Sequence, residues 1–256
     1  MGNKSILCVV EGEVSEVKIL KKLSAEFIQR DIDFVPIATN IYHFYHAYHK
    51  EVQEIGNEID MFLFIKQYDK KGVLQGKKRN DFLGIYLFMD FDRHEPLADR
   101  YLTCLPEMLE LFNSHDENGQ LYISYPMVEA FQYPIEGRDI TPISIGSNFK
   151  KMVNKTTLPE HRGIRFIYKI DLIKLLINHF KQSNYIINDE FCFPDIYKID
   201  EWGQNNIYQN QFDKYIEKSK RVVILSPFVL FLLEYLGEKL FIEWQEMEQQ
   251  AKSSWT

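Results

Sequence analysis

The sequence predicts an α/β fold: a mostly parallel sheet flanked by helices, with an appended, mainly helical region. Three observations carry this expectation. Two runs, 5–10 and 84–91, are almost continuously apolar, as strands covered on both faces are. Segments with helical periodicity alternate with them. The chain has 256 residues, 45% hydrophobic and 14% aromatic, which is ample material near the upper size of a single core.

Taken in order, residues 5–10 read as a buried strand bounded by Gly12. A helix follows from about Glu16 to Gln29, capped at Ser15 or the preceding turn. Val17, Leu20, Leu23, Ala25 and Phe27 form its apolar stripe. Residues 34–37 make a short second strand, and Ile41 to Ile55 is helical. Met61 to Lys66 is apolar and open to either helix or strand. Gly84 to Phe91 is the third strong strand. Leu97 to Phe112 reads as a helix that Pro106 breaks or kinks. Asn118-Gly119 turns the chain into a strand at 121–124, and Pro126 opens a short helix through Ala130.

After about Pro134 the pattern changes. Residues 1–134 are therefore expected to form the core, and 135–256 a mainly helical region packed on it. Within the latter, Ile140 to Asn148 is loop-like and Asp171 to Phe180 is helical. Residues 184–210 are rich in Asn, Gln and aromatics. Ser226-Pro227 starts a helix ending near Gly237.

Composition narrows the classes. The longest apolar stretch, Val222 to Leu236, contains Ser226, Pro227 and Glu234 and is too short to span a bilayer, so no membrane role is expected. Met1-Gly2-Asn3-Lys4 leads straight into a strand, with no signal peptide in view. Cys8, Cys104 and Cys192 are odd in number and far apart, which suits a reducing, cytoplasmic setting. The net charge of -7 and pI of 5.6 are not those of an avid nucleic-acid binder. Two bound Mg²⁺ ions would offset about four of the negative charges. Gly72-Val73-Leu74-Gln75-Gly76-Lys77-Lys78 fails as a phosphate-binding loop, because it is one residue short between its glycines and lacks Ser or Thr after Lys77.

The chemistry lies in the acids that end the apolar runs. Glu11 follows the first strand and Glu16 sits on the first turn of the next helix. Asp90 and Asp92, two apart at a strand end, can point the same way, and Glu129 occupies a further strand–helix junction. In parallel sheets, ligands bind beyond the carboxyl ends of the strands. Carboxylates converging there suit Mg²⁺, with Mn²⁺ a second candidate, and two ions about 4 Å apart are the usual arrangement for phosphodiester cleavage. Each acid string alone is also what a solvated loop or an ordinary helix cap looks like.

Val10-Glu11-Gly12 through Ser15-Glu16, with a later strand ending Asp90-Phe91-Asp92, resembles the TOPRIM domain of topoisomerases, primases and OLD-type nucleases. The segment Ser124-Tyr125-Pro126-Met127-Val128-Glu129-Ala130 is similar to a junction in small TOPRIM proteins of bacterial anti-phage systems, the RloB-like and AbiLii-like groups and the PARIS nuclease. The likeness covers residues 5–130. It implies a TOPRIM-like sheet, Glu11 as general acid/base or metal ligand, and Asp90 and Asp92 as Mg²⁺ ligands. Glu16 and Glu129 would serve a second ion. Asp92 is followed by Arg93-His94-Glu95 rather than a topoisomerase-type continuation, and no nucleophilic tyrosine stands out, so hydrolysis is favoured over strand passage. The resemblance also implies an ABC- or SMC-type ATPase partner.

Lys66, Lys70, Lys71, Lys77, Lys78 and Arg79 form a basic loop before the third strand. Lys77, Lys78 and Arg79 are its candidates for backbone-phosphate contact, against the plain alternative of a solvated loop. Lys150, Lys151, Lys155, Arg162 and Arg165 form a second basic group. His43, His46 and His49 recur every third residue among aromatics, which reads as an aromatic-faced helix before it reads as a zinc site. His94 could assist proton transfer or bind phosphate, and Cys8 reads as a buried apolar residue.

The leading expectation is a metal-dependent endonuclease acting on DNA or RNA, tRNA included, in phage defence. A non-catalytic module that docks on an ATPase is the second, and an α/β phosphatase or nucleotidyl transferase the third. An oligomer is compatible with each.

Overall fold

The computed structural model describes residues 4–56, 59–91, 102, 104–135, 140, 142–145, 148–157, 159–161, 163–195 and 202–253. The chain is α/β, with a five-stranded, mostly parallel sheet flanked by helices and a helical C-terminal region. It divides into two compact units, Met1–Ile123 and Ser124–Thr256, at the end of the fifth strand.

In the first unit, β1 (Ser5–Val10) is buried from Ile6 onward. Each fully buried aliphatic side chain there contributes roughly 1.5–3 kcal/mol. α1 (Ser15–Leu23) continues as a π-helical turn, Ser24–Ile28, so the expected helix runs its full length. It stops where Gln29 turns left-handed at φ 54. β2 is Ile32–Pro36 and α2 is Ile41–Ile55. Asn40 caps α2 by accepting from the His43 N–H at 2.9 Å. Met61–Tyr68 is helical (α3), because the Asp60 carboxylate accepts from the N–H groups of Phe62 and Leu63. That cap decides the apolar run that periodicity leaves open.

β3 spans Phe82–Asp90. α4 is Leu105–Leu111, and Pro106 lies in its first turn, where proline opens a helix instead of kinking it. The expected start at Leu97 lies outside the described residues. β4 (Asn113–Ser114) and β5 (Gly119–Ser124) close the unit. The sheet order is β2-β1-β3-β5-β4. β1 lies between β2 and β3 and pairs in parallel with both, while β4 and β5 are antiparallel. Gly119, at φ 95, is required twice: a Cβ there would strain the backbone and run into Leu87 Cδ1.

The second unit is mainly helical. α5 (Phe149–Thr156), α6 (Lys169–Asn188), α7 (Gln204–Gln211), α8 (Phe228–Leu236) and α9 (Glu238–Ser253) supply it. α6 exceeds the expected helix at both ends. The expected loop at 140–148 contains β6 (Ile143–Ser144), which pairs antiparallel with β7 (Arg221–Val222). A two-residue strand is too short to show period-2 alternation. On α6, Phe180 packs its ring against Trp202, Phe241 and Trp244. Among the described residues, no helix is long and apolar enough to cross a membrane.

Candidate functional site

The carboxyl-terminal edge of the sheet is set by the register of β1. Val10 is level with Phe88 on one side and Pro36 on the other. The next residue is therefore held on both sides. The Glu11 N–H donates to Phe88 O at 3.2 Å, and the Ala38 N–H donates to Glu11 O at 3.2 Å. Ala38 makes that contact in the left-handed region, at φ 51. This conformation costs an L-residue about 1–2 kcal/mol. The strain lies where it fixes the main chain that carries Glu11.

The Glu11 side chain then reaches across the end of β3, where its Oε2 accepts from the Asp90 N–H at 3.1 Å. Glu16, on the first turn of α1, folds back so that Oε1 accepts from the Gly12 N–H at 3.1 Å. Glu16 as a residue is buried, 5% exposed, and lies near the positive end of the α1 dipole. Gly12 is part of this fit, since a Cβ there would lie 3.0 Å from Glu16 Oε2. The structure thus brings Glu11, Glu16 and Asp90 to one edge, on two strand ends and one helix start. The Glu11 and Glu16 carboxylates are oriented by main-chain donors.

Asp92, and with it His94, lies outside the described residues. Glu129 belongs to the second unit, on the 3₁₀ turn Val128–Gln132, where it pairs with Lys150 Nζ at 2.8 Å. The donor set of Glu11, Glu16 and Asp90 is all carboxylate oxygen, the type that Mg²⁺ and Mn²⁺ take. Among the described residues, no group of three or more His, Cys, Asp or Glu side chains is gathered closely enough to hold a metal.

The basic loop requires a correction. Lys77 Nζ pairs with Asp33 Oδ1 at 2.7 Å, and Asp33 also accepts from Ser5 Oγ. Arg79 donates to the carbonyls of Phe82, His115 and Asp116. Ser5, Asp33 and Phe82 all mark the beginnings of their strands, so Lys77 and Arg79 sit at the amino-terminal edge. Asp90 lies eight residues along β3, roughly 26 Å away at 3.3 Å per residue. Lys78 is exposed, and its N–H donates to Asp81. Closeness in sequence to Asp90 therefore does not place these cations beside the acids. Lys71 is the member of that loop that reaches the acid-bearing turn, pairing with Glu13 at 3.2 Å, both exposed.

On α2 the aromatics Tyr42, Phe44, Tyr45 and Tyr48 are buried, while His43 and His46 are exposed and His49 lies against the Tyr45 ring. Burial and the Glu107 carboxylate, which accepts its hydroxyl, push the Tyr45 phenol up. Cys8 is fully buried, and burial raises its thiol well above the ordinary range, so it is a poor nucleophile.

Sequence reasoning passed over His179. It is fully buried on α6. Its Nδ1 accepts from the Ser226 N–H at 3.2 Å, which leaves the proton on Nε2, 3.3 Å from Phe131 O. Burial lowers it to about 4, against the opposing pull of the Phe131 and Ala130 carbonyls. It is a neutral strut joining α6 to two main-chain segments. A lone His in a helical run gives no sequence signal for that.

Comparison with protein-family models, with curated proteins and with solved structures finds no match for this chain.

Proposed function

We propose that this chain is a divalent-metal-dependent phosphodiester hydrolase of TOPRIM type that cuts nucleic acid in bacterial anti-phage defence. The observation that carries the reading is the Glu11 carboxylate, fixed across the ends of two parallel strands by the Asp90 N–H. Glu11, Glu16 and Asp90, with Asp92, are the residues that would hold Mg²⁺ or Mn²⁺. The bound ions would supply charge stabilisation at the phosphoryl oxygens.

The chain's own groups do the rest. The Asp90 N–H holds one Glu11 oxygen, which orients the carboxylate as general base. Glu11 takes a proton from the attacking water as the new O–P bond forms and the P–O bond to the leaving nucleotide breaks. Glu16, tied to Gly12, keeps the turn between β1 and α1 in place. An ABC- or SMC-type ATPase partner and a cytoplasmic setting belong to the same reading.

The test is cleavage of DNA and total tRNA with Mg²⁺ or Mn²⁺, with and without a neighbouring ATPase. Glu11→Gln keeps an acceptor for the Asp90 N–H and removes the base, and Asp90→Asn removes a ligand. Both variants should lose cleavage with unchanged melting. Cleavage by both at the wild-type rate would sink the mechanism. No Mg²⁺ or Mn²⁺ binding in a titration would favour the non-catalytic module.

A further inference from the structure

Among the described residues, most large apolar side chains that stay exposed are scattered aliphatics: Val14, Ile55, Leu63 and Ile242. Three others fall within five residues, and two of them are aromatic and the most exposed of this set. Phe166 is 82% exposed and Tyr168 is 76% exposed, with Ile170 beside them. Folding gives no reason for these rings to face water.

The segment is nevertheless firmly held. Ile164 and Ile167 are buried anchors on either side of Phe166. The Phe166 N–H donates to Gly163 O at 2.8 Å, and the Leu172 N–H donates to Tyr168 O at 2.9 Å at the start of α6. Gly163, at φ 72, sets the turn, and a Cβ there would lie 3.3 Å from the Phe166 ring. The rings are thus displayed on a fixed backbone, which lowers the ordering cost of binding.

Charge gives the second, independent observation. Residues 148–174 carry seven Lys and Arg against two Asp and Glu, while the rest of the chain carries 23 against 35. Within this stretch, one of two basic stretches in an acidic protein, exposed Arg165 adjoins Phe166 and exposed Lys169 adjoins Tyr168.

We propose that Arg165, Phe166, Tyr168 and Lys169 form a stacking platform for unpaired bases of single-stranded nucleic acid. The rings meet the base faces and the cations meet the phosphates, a combination that tolerates any sequence. The choice of ligand rests on the phosphodiester reading above. A lipid surface is the weaker fit, because the apolar residues of α6 that follow, Leu172, Ile173, Leu175 and Leu176, are buried and present no amphipathic face.

The experiment measures binding without cleavage. The full-length chain in EDTA is titrated against a labelled oligothymidylate of about 20 nucleotides, longer than a typical single-strand site, and against a duplex of the same length. Wild type should bind the single strand and prefer it to the duplex. Phe166→Ala and Tyr168→Ala should each weaken binding about 5- to 100-fold. Phe166→Trp with Tyr168→Trp should restore it. Arg165→Gln should flatten the salt dependence by about 0.7 in log–log slope. Undiminished binding by the double alanine variant overturns the proposal, as does ring-dependent binding to anionic vesicles with none to oligonucleotide. The two readings fail separately. Cleavage that needs Glu11 but ignores Phe166 and Tyr168, with binding also unaffected, removes the platform alone. Ring-dependent binding by a wild type that never cleaves removes the hydrolase alone.

Discussion

At the amino-terminal edge of the sheet, Asp33 accepts from the Lys77 ammonium and the Ser5 hydroxyl, and Arg79 donates from Nη1 and Nη2 to three carbonyls. At the carboxyl-terminal edge, Glu11 and Glu16 each accept from a main-chain N–H, of Asp90 and Gly12. Both edges hold charged side chains at or beside the ends of the parallel strands. At the first, each long side chain serves as a tie between loops and strands. At the second, the backbone orients the carboxylates, and a fixed frame of this kind is what a ligand site needs. The difference teaches that charge near a strand in sequence means little until it is known which end of the strand it meets.

The widest separation between the two edges should be in rate. Glu11→Gln is expected to lower hydrolysis by about 10²–10⁴, the usual worth of a positioned general base. The folded state should be untouched. An equal loss in Arg79→Met, measured well below its melting temperature, would erase the distinction.

His179 supplies the internal standard for a polar group that the fold consumes entirely. Its folded pKa, about 4, lies below the ordinary 6.5. The unfolded chain therefore binds a proton that the folded one refuses. The stability of the neutral strut is complete above about pH 6.5 and falls as pH drops toward 4, by on the order of 3 kcal/mol. Urea unfolding between pH 7 and 4 should show this slope in wild type and less of it in His179→Gln. An unchanged slope in the variant would assign the pH dependence elsewhere.

Arg79→Met tests the amino-terminal edge directly. Three carbonyls lose a charged donor on a partly buried side chain, which should cost about 2 kcal/mol. Chemical denaturation reads this, and the cleavage rate should hold.

Much of this organisation was legible in the residues. The unbroken apolar runs of β1 and β3 fixed the parallel centre, because strands covered on both faces leave no other pattern. That Glu11, Glu16 and Asp90 share one edge was legible, because a parallel sheet delivers the residues after its strands to one edge. The Lys77 and Arg79 contacts were not. Which end of β3 a loop meets depends on where that strand starts, and the partners of Arg79, His115 and Asp116, are more than thirty residues away. β6 and α5 were missed for a related reason. Two residues carry no periodicity, and Phe149–Thr156 carries three lysines that read first as a charged surface.

The smallest expected effect is also the most direct check on the two-edge comparison. Lys77→Met removes an ion pair whose members are 35% and 22% exposed. Such a pair contributes under about 1 kcal/mol, and methionine keeps the packing over the Phe82 ring that Lys77 now covers. Asp33 retains the Ser5 hydroxyl at 2.7 Å, so no carboxylate is stranded. Melting should fall only slightly, and high salt should narrow the difference by screening the pair in wild type. Oligonucleotide affinity should stay the same, because this cation is committed to Asp33 at the far end of β3. A clear loss of affinity in Lys77→Met, with melting unchanged, would mean that nucleic acid reaches the amino-terminal edge after all.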